Sequence, residues 1–403
     1  MLVPLLRDGT HSPAVPGTGR RPSGYRGTVT FSLDALRRWP DVEAPDLVAT
    51  DAADRLLLDE SAAARTGAGD GDGDGDGDGG IVVIGDGYGA LTLGTAADGG
   101  RGIRVHQDPL TGERALAANA ERFGLGDAFA SLPLSPGLVR DARVVLLRLP
   151  RSLDALRDIA GLIAAHAAPD VVVFAGGRVK HMTLAMNDVL RESFTRLDVT
   201  HARQKSRVLV ARGPHGGRDP VPLCATHDGI IVCAFGGAFA GASIDIGTRF
   251  LLEHLPPLPD GSAIDLACGT GVVATALALR HPSLHVLACD QSAAAVTSAR
   301  ATADANGVAD RVEVVRDDML GAQPDASASF IALNPPFHSG SAVHEGIAPR
   351  MFAEAARVLR PGGELWAVWN SGLRYRPALE RAVGPTRQVA RNTKFTVTAS
   401  TRG

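Results

Sequence analysis

Short apolar runs alternate with amphipathic helical stretches along most of this sequence. That alternation predicts parallel β-sheets covered by helices, because parallel strands are joined by helical crossovers. The apolar runs form two sets, at 81–84, 103–106, 143–149 and 171–174, and then at 263–266, 285–289, 312–315, 330–333, 364–369 and 395–398. A chain of 403 residues is long enough to bury two cores. We therefore predict two α/β domains in tandem.

The two sets also resemble each other in sequence. With Gly87 set against Gly269, the same offset of 182 residues pairs Gly89 with Gly271 and Asp108 with Asp290. Further stretches match in the same order, namely 118–124 with 301–307, 147–150 with 333–336, and 205–210 with 392–397. Matches in a constant order indicate an ancient duplication. The expected boundaries are 25–212 for the first domain, 213–223 for a proline-containing linker, and 224–403 for the second domain.

Two segments have the composition of flexible chain. Residues 1–24 contain prolines and arginines but no apolar core of a secretory signal, so we expect a disordered tail. The run at 67–80 repeats glycine and aspartate, which raises the alternative of a calcium-binding repeat. It lacks the glutamate of an EF-hand loop and the apolar residue that Gly-Asp nonapeptides need. We therefore expect a flexible, self-repelling insertion.

Composition limits the possible partners and compartments. The formal net charge is −3, and without the aspartates of the insertion it becomes slightly positive, so partners must be inferred from local patches. The four cysteines have no metal-ligand spacing, which predicts reduced thiols, no metal site and a cytoplasmic location. No apolar stretch is long enough for a bilayer. A monomer is expected.

The second set of strands begins with a cofactor-binding pattern. The strand at 263–266 leads into Ala267, Cys268, Gly269, Thr270 and Gly271, and a helical stretch follows. A glycine-rich turn lets the backbone approach a ligand, and the helix N-terminus supplies N–H donors. The third glycine of a dinucleotide fingerprint is missing, which favours S-adenosylmethionine.

Three acids follow successive strands of this second set. Asp265 is expected to orient the amino-acid end of the cofactor, and Asp290, with Gln291 beside it, to accept the ribose hydroxyls. Of the pair Asp317 and Asp318, we assign Asp318 to the adenine amine. A purely structural sheet does not require acids at all three strand ends, so together they predict an S-adenosylmethionine site.

The strand at 330–333 ends in Asn334-Pro335-Pro336-Phe337. An exocyclic amine is a poor nucleophile because its lone pair is delocalised. The Asn334 amide oxygen and the Pro335 carbonyl can accept its two hydrogens, and the prolines stiffen the loop, so catalysis becomes largely a matter of orientation. Phe337 can stack on a planar acceptor. In isolation the same four residues are also typical of a simple turn.

These motifs resemble the two-domain ribosomal RNA guanine-N2 methyltransferases. The likeness extends from about residue 29 to 399 and includes 239–252, 265–271, Asp290, 334–338 and 392–395. It implies two Rossmann-like class I methyltransferase domains, of which the N-terminal one is degenerate. It also implies that Asp245 and Gly247 lie over the cofactor. The segment at 176–181 is more similar to the large-subunit enzymes. Ala267, where the family usually has glycine, departs from the pattern.

The first copy lacks the acceptor groups. Val83 stands in place of Asp265, and Arg148 and Leu149 stand in place of Asn334 and Pro335. We expect this domain to be catalytically silent and Arg148 to place a charge near the sulfonium position. Basic residues that can contact RNA phosphates are Arg143, Arg148, Arg151, Arg178, Lys180, Arg203, Lys205 and Arg207, and a second cluster comprises Arg374, Arg376, Arg381, Arg387, Arg391 and Lys394 with Tyr375.

The predicted function is methyl transfer to the exocyclic N2 of a guanine in ribosomal RNA, preferably of the large subunit. The alternatives are a small-subunit enzyme and a non-catalytic RNA-binding or ribosome assembly factor that keeps a cofactor pocket. Methylation of DNA amino groups or of glutamine side chains uses a similar motif, but Phe337 in place of tyrosine and the paired domain disfavour both.

Overall fold

The structure is a computed structural model that describes residues 30–69, 80–258, 261–336 and 343–403. The tail predicted at 1–24 lies outside the described residues, as do positions 70–79 of the Gly-Asp run. The first positions of that run, 67–69, belong to the end of a helix.

The first domain contains a seven-stranded sheet with helices on its faces. Its helices are α1 (Ala52–Gly69), α2 (Ala90–Ala97), α3 (Leu110–Phe123), α4 (Pro136–Val139), α5 (Leu153–His166) and α6 (Leu184–Arg191). Its strands are β1 (Ile81–Ile84), β2 (Ile103–His106), β3 (Phe129–Ser131), β4 (Val144–Arg148), β5 (Val172–Arg178), β6 (Phe194–Val199) and β7 (Ser206–Pro214). The spatial order is β3-β2-β1-β4-β5-β7-β6.

A short hairpin precedes the second domain and its sheet. The hairpin strands are β8 (Leu223–His227) and β9 (Ile230–Ala234). The sheet strands are β10 (Gly261–Leu266), β11 (Leu284–Asp290), β12 (Val312–Arg316), β13 (Ala328–Leu333), β14 (Leu359–Asn370), β15 (Thr386–Arg391) and β16 (Phe395–Thr401). The helices are α7 (Ile246–Leu252), α8 (Val272–Arg280), α9 (Ala293–Ala305), α10 (Val343–Val358) and α11 (Arg376–Ala382).

The two sheets have the same topology. The second runs β12-β11-β10-β13-β14-β16-β15, which repeats the order of the first. In each sheet the second-to-last strand of this order, β7 or β16, pairs antiparallel with both of its neighbours, and the other pairs are parallel. Both faces of each sheet are buried. Val82 and Ile84 pack in one core cluster while Ile81 and Val83 pack in another. The prediction of two tandem Rossmann-like domains is confirmed.

The chain order reverses between β10 and β13, because β10 pairs with β11 on one side and with β13 on the other. In open α/β sheets the carboxyl ends of the strands at such a reversal form a crevice. The predicted cofactor turn and the Asn334 loop follow these two strands. The topology therefore brings them to the same edge.

The cysteine prediction is wrong for one pair. Cys224 and Cys233 form a disulfide across the hairpin, and their Cα atoms are 4.1 Å apart. Asp228 and Gly229 have φ angles of 52° and 81°, which make a two-residue turn and set the two cysteines directly opposite each other. Cys268 and Cys289 are free and buried.

The segment predicted as a linker packs closely on the first domain. Arg218 N donates to Gly161 O at 3.1 Å, and a Cβ at Gly217 would lie 2.2 Å from Ala165 N. Among the described residues, no helix combines the length and hydropathy needed to cross a membrane.

Candidate active site

A cavity of about 390 Å³ opens at the carboxyl ends of β10, β11 and β13. Its size falls within the range of roughly 300–1,000 Å³ that is typical of ligand sites. Residues predicted from the sequence that line it are Asp245, Asp265, Ala267, Cys268, Gly269, Asp290, Gln291, Asp318, Asn334, Pro335 and Pro336. Gly247 and Gly271 are not in its wall, and Phe337 lies outside the described residues.

The glycine-rich turn between β10 and α8 has left-handed backbone at three positions. The φ angles are 58° at Ala267, 53° at Gly269 and 74° at Gly271. A Cβ at Gly269 would meet nothing within 4 Å, whereas a Cβ at Gly271 would lie 2.8 Å from the Cβ of Ala299 in α9. Gly269 therefore keeps the backbone open to a ligand, and Gly271 allows α8 to approach α9.

Asp265 lies at the bottom of the cavity and is 3% exposed. Its Oδ2 accepts a hydrogen bond from Ala274 N at 2.9 Å, near the start of α8. Burial raises the pKa of Asp265 to about 7, and the neighbouring charge of Asp290 acts in the same direction. A cationic group in the cavity would favour the ionised form.

Asp290 connects the glycine-rich turn to the next turn. Its Oδ2 accepts from Gly269 N at 3.0 Å and its Oδ1 accepts from Ser292 N at 2.9 Å. Burial raises the pKa of Asp290, and the two backbone N–H groups oppose that shift. Each carboxylate oxygen retains acceptor capacity, so the pair suits the two hydroxyls of a ribose.

Of the two neighbouring acids after β12, the structure brings Asp318 to the cavity wall. Asp317 is buried behind it, and its carboxylate accepts from Asp318 N and Ala322 N, each at 2.8 Å. Burial raises the pKa of Asp318, and Arg350 and Arg114 oppose the shift.

The Asn334 side chain is hydrogen-bonded through its amide nitrogen, whereas its amide oxygen has no partner among the described residues. Its Nδ2 donates to Thr248 Oγ1 at 2.9 Å and to Asp245 Oδ2 at 3.2 Å. Its Oδ1 is buried and accepts no hydrogen bond from the part of the chain that the structure describes. A buried oxygen without a partner costs about 1–3 kcal/mol, which a ligand that donates a hydrogen bond can offset. Pro335 after it is buried and Pro336 is exposed.

The residues that orient Asn334 belong to the first turn of α7. Asp245 is the N-cap residue of α7 and accepts from Gly247 N at 2.9 Å and from Thr248 N at 3.2 Å. A Cβ at Gly247 would lie 3.2 Å from the Phe395 ring. Gly247 thus packs against β16, and its place over the cofactor stays a prediction.

Sequence reasoning missed several residues of the wall. Thr248, which accepts a hydrogen bond from Asn334, lies in the segment 239–252 that carried the family resemblance, so the sequence contained a signal that could have identified it. Met319 follows the assigned Asp318 directly and has φ of 61°. The other missed residues are Asp108, Pro109, Gly237, Phe239, Ala240, Ser243, Leu266, Thr270, Val272, Val273, Cys289, Ser292, Ala295, Ile347 and Met351.

The matching edge of the first domain is filled by its own side chains. Val83 is fully buried in the core. Asp86 instead accepts from Thr92 N at 2.8 Å, the bond that Asp265 makes to Ala274 in the second copy. The buried Gln107 side chain donates to the Asp86 carbonyl oxygen. Asp86 thus keeps the hydrogen bond to the first turn of α2, and the Gln107 side chain occupies the turn that precedes this helix.

Arg148, at the end of β4, is held by ion pairs that the sequence did not predict. It forms ion pairs of 2.8 Å with both Asp51 and Asp54 of the α1 N-terminal region. Its side chain is 23% exposed, and its guanidinium is engaged by these carboxylates rather than directed at RNA phosphates. The two aspartates, about a hundred positions earlier in sequence, neutralise it, which was not anticipated from the sequence.

The residues of the cavity fit S-adenosylmethionine. Asp265 offers a carboxylate to an ammonium group, Asp290 offers two acceptor oxygens to a ribose, and Asp318 offers one to an adenine amine. The open side of Gly269 leaves room for the adenosine, and Asn334 Oδ1 has no hydrogen-bond partner within the described ranges. No group of acids, cysteines and histidines suited to a metal ion occurs among the described residues.

Comparisons with known proteins agree with this site. Residues 28–215 match the family described as RLMG N-terminal domain, and residues 229–399 match the methyltransferase small domain. A ribosomal RNA large subunit methyltransferase G from Streptomyces avermitilis is 36% identical, with 92% of this chain and 97% of that protein covered. The protein of the same name from Shewanella amazonensis is 31% identical, with 93% and 97% covered.

One solved structure resembles both domains together. It is the 16S rRNA N2 methyltransferase RsmC of T. thermophilus, in complex with AdoMet and guanosine, with a TM-score of 0.68 and 19% identity. The match covers 88% of this chain and 92% of that one, and at this identity it supports the fold. By its sequence relatives, the chain belongs to the ribosomal RNA large subunit methyltransferase G family.

Proposed function

We propose that this chain transfers a methyl group from S-adenosylmethionine to the exocyclic N2 of a guanine in large-subunit ribosomal RNA. The observation that carries the proposal is the Asn334 amide at the wall of the cofactor cavity, which is anchored through Nδ2 and whose buried Oδ1 has no hydrogen-bond partner among the described residues. The relatives are named for the large subunit, which favours that target.

The catalytic contribution of the protein is orientation. Bound S-adenosylmethionine supplies a methyl group that is electrophilic because of the positive sulfur. Asn334 Oδ1 and the Pro335 carbonyl accept the two amine hydrogens, which directs the nitrogen lone pair at the methyl carbon. The nitrogen–carbon bond forms as the carbon–sulfur bond breaks, S-adenosylhomocysteine leaves, and one amine proton passes to water. Well-oriented reactions of this kind gain up to about 7–11 kcal/mol.

The guanine must leave its stack to reach this cavity. Phe337 stays our prediction for the residue that stacks on it. Phe239, an exposed aromatic residue in the cavity wall, offers a second stacking face.

Basic residues on the carboxyl edges of both sheets can hold the RNA backbone. In the first domain Val179 N donates to Lys205 O. Desolvation lowers the pKa of His181, and the positive charges of Arg151, Lys180 and Arg178 act in the same direction, so these cations are neighbours. In the second domain Ser371 N donates to Lys394 O, which places Lys394 near the end of β14 and thus on the edge of Asn334. We propose that the RNA spans both clusters.

Other members of the predicted RNA surface are engaged within the protein. Arg203 pairs with Glu60 at 3.2 Å, Arg376 pairs with Glu380 at 2.9 Å, and Arg387 pairs with Glu364 at 3.0 Å. Tyr375 packs edge-on against Phe352. The proposed surface therefore centres on Lys180, Lys205, Arg374 and Lys394, which are exposed.

Incubation of the purified chain with labelled S-adenosylmethionine and ribosomal RNA from a strain that lacks this gene tests the proposal. Mass spectrometry of the nucleosides should show N2-methylguanosine, and fragment mapping should place it in large-subunit RNA. Label confined to small-subunit RNA would support the alternative target. Absence of any transfer, with cofactor still bound, would support the non-catalytic alternative.

A further inference from the structure

The cofactor cavity is built by both domains. Asp108 and Pro109 follow β2 of the first domain, yet they line the cavity beside Gln291 and Ser292 of the second. Asp108 Oδ1 accepts from Ser292 Oγ at 3.0 Å and from Ala294 N at 2.8 Å. The contact is therefore specific and polar.

Asp108 completes the N-terminal cap of α9. The first N–H groups of a helix have no partner within the helix. Ser292 Oγ accepts from Ala295 N at 3.1 Å, whereas the N–H groups of Ala293 and Ala294 donate to the Asp108 carbonyl and carboxylate. A negative charge at this end of a helix is also favourable. The α9 cap thus depends on a residue of the other domain.

The capped turn is the one that orients the ribose carboxylate. Ser292 N donates to Asp290 Oδ1 at 2.9 Å while Ser292 Oγ donates to Asp108. A continuous series of hydrogen bonds therefore runs from Asp108 through Ser292 to Asp290. Movement of Ser292 would rotate the Asp290 carboxylate away from Gly269, to which it is also bonded.

The two domains meet in a nearly symmetric way at this point. Leu110 N donates to Gln291 O at 3.0 Å and Ala293 N donates to Asp108 O at 3.0 Å, with Pro109 bridged to Ser292. Asp108 corresponds to Asp290 in the alignment of the two copies. Asp108, the first-domain equivalent of the predicted ribose acceptor Asp290, thus lines the cofactor cavity of the second domain.

Contacts on the neighbouring strand keep the domains in register. Arg316 at the end of β12 pairs with Glu113 of α3 at 2.8 Å and donates to the carbonyls of Gln107 and Asp108. Arg114 of α3 lies 3.7 Å from the Asp318 carboxylate. The α3 helix and the loop before it thus contact the regions around both residues assigned to the adenosine, Asp290 and Asp318.

We propose that Asp108 is a positioning residue for cofactor binding, through which the catalytically silent domain sets the affinity of the active domain for S-adenosylmethionine. This rests on the proposed function only for the identity of the cofactor. Asp108 does not touch the reacting atoms, so it should govern cofactor affinity and leave the methyl-transfer step unchanged at saturation.

The experiment is calorimetric titration of the full-length chain with S-adenosylmethionine, without RNA. For Asp108→Ala we expect Kd to rise by about tenfold, since two hydrogen bonds to a charged group are lost. Asp108→Asn keeps an acceptor oxygen and should restore most of the affinity. Asp127→Ala, an exposed aspartate in the same domain, serves as the matched control and should bind as the parent does.

Two further measurements separate positioning from general destabilisation. Ser292→Ala combined with Asp108→Ala should weaken binding no more than the stronger single variant, because both act through one series of bonds. With RNA, Asp108→Ala should raise KM for the cofactor while kcat stays within about twofold. Unchanged Kd, additive effects, or a loss of kcat without a change in KM would overturn the proposal. A parent chain that binds the cofactor but fails to methylate RNA would contradict the function alone.

Discussion

At the scale of single residues, burial makes the cofactor carboxylates harder to ionise. Asp265 has a pKa near 7 in the folded chain because it is desolvated, whereas an aspartate in an unfolded chain ionises near 3.8. The folded state therefore binds the proton more tightly. The stability that this protonation contributes is complete below about pH 4 and is lost as pH rises through 7.

This shift predicts a pH dependence of cofactor affinity with the opposite sign. The cofactor ammonium favours ionised Asp265, so binding below pH 7 requires release of the bound proton. We expect the S-adenosylmethionine Kd to fall by roughly ten- to thirtyfold between about pH 5.5 and 7.5. Titration calorimetry in two buffers of different ionisation enthalpy would detect the released proton. Asp265→Asn should flatten the profile, and an equally steep profile in that variant would exclude Asp265 as the source.

Ala267 occupies a backbone position that suits glycine. Its φ of 58° is left-handed, where a Cβ causes steric strain. We expect Ala267→Gly to raise the free energy of unfolding by about 0.5–1 kcal/mol, after the entropy cost of glycine is subtracted. Denaturant titration measures it. Ala305→Gly, at an exposed helical position, should destabilise instead, and the same sign in both variants would argue against strain at Ala267.

At the scale of elements, sequence predicted the central strands of both sheets but missed β7 and the edge strands β6 and β15. The central strands β1, β4 and β13 are largely apolar on both faces because helices cover both sides, so continuous apolar runs revealed them. The edge strands β6 and β15 alternate with charged residues and have no such run. Hairpin β8–β9 carried a usable signal in Asp228-Gly229, a dipeptide typical of two-residue turns.

The contact between α8 and α9 depends on Gly271. A Cβ there would lie 2.8 Å from the Ala299 Cβ and 3.0 Å from its Cα, so α9 would have to move. We expect Gly271→Ala to lower the free energy of unfolding by about 2–3 kcal/mol, from left-handed strain and overpacking together. A shift of α9 would also weaken cofactor binding through Asp290. Thermal unfolding and cofactor titration test this, and normal values in both would show that the glycine is dispensable.

At the scale of the whole molecule, the contacts between the two domains could not be predicted from the sequence. The duplication indicated two similar sheets, but the side chains that join them, such as Asp108 and Ser292, are 184 positions apart. Their proximity depends on docking of complete domains and leaves no local pattern. The Arg148 ion pairs with Asp51 and Asp54 lie within the first domain, and they were missed because its folding joins residues almost a hundred positions apart.

Because the basic residues lie on the sheet edges and the carboxylates lie in the cavity, we predict that RNA binding and cofactor binding can be weakened independently. Arg374→Ala combined with Lys394→Ala should raise KM for RNA several-fold and leave the cofactor Kd unchanged, because phosphate contacts act on RNA alone. Each lost contact should reduce the slope of log affinity against log salt by roughly one. Filter binding over a salt series measures it. An unaltered slope would indicate that the RNA binds another surface of the protein.

The most direct test of the whole account is methyl transfer by Asn334→Ala at saturating cofactor and RNA. Loss of the amide oxygen should lower turnover by roughly a hundred- to a thousandfold, the usual effect of removing one group that acts in the transition state. The cofactor Kd should change little, and Gln323→Ala, which removes an amide in the loop before β13, should behave as the parent. Turnover close to that of the parent, or loss of cofactor binding in step with activity, would contradict the assigned role of Asn334.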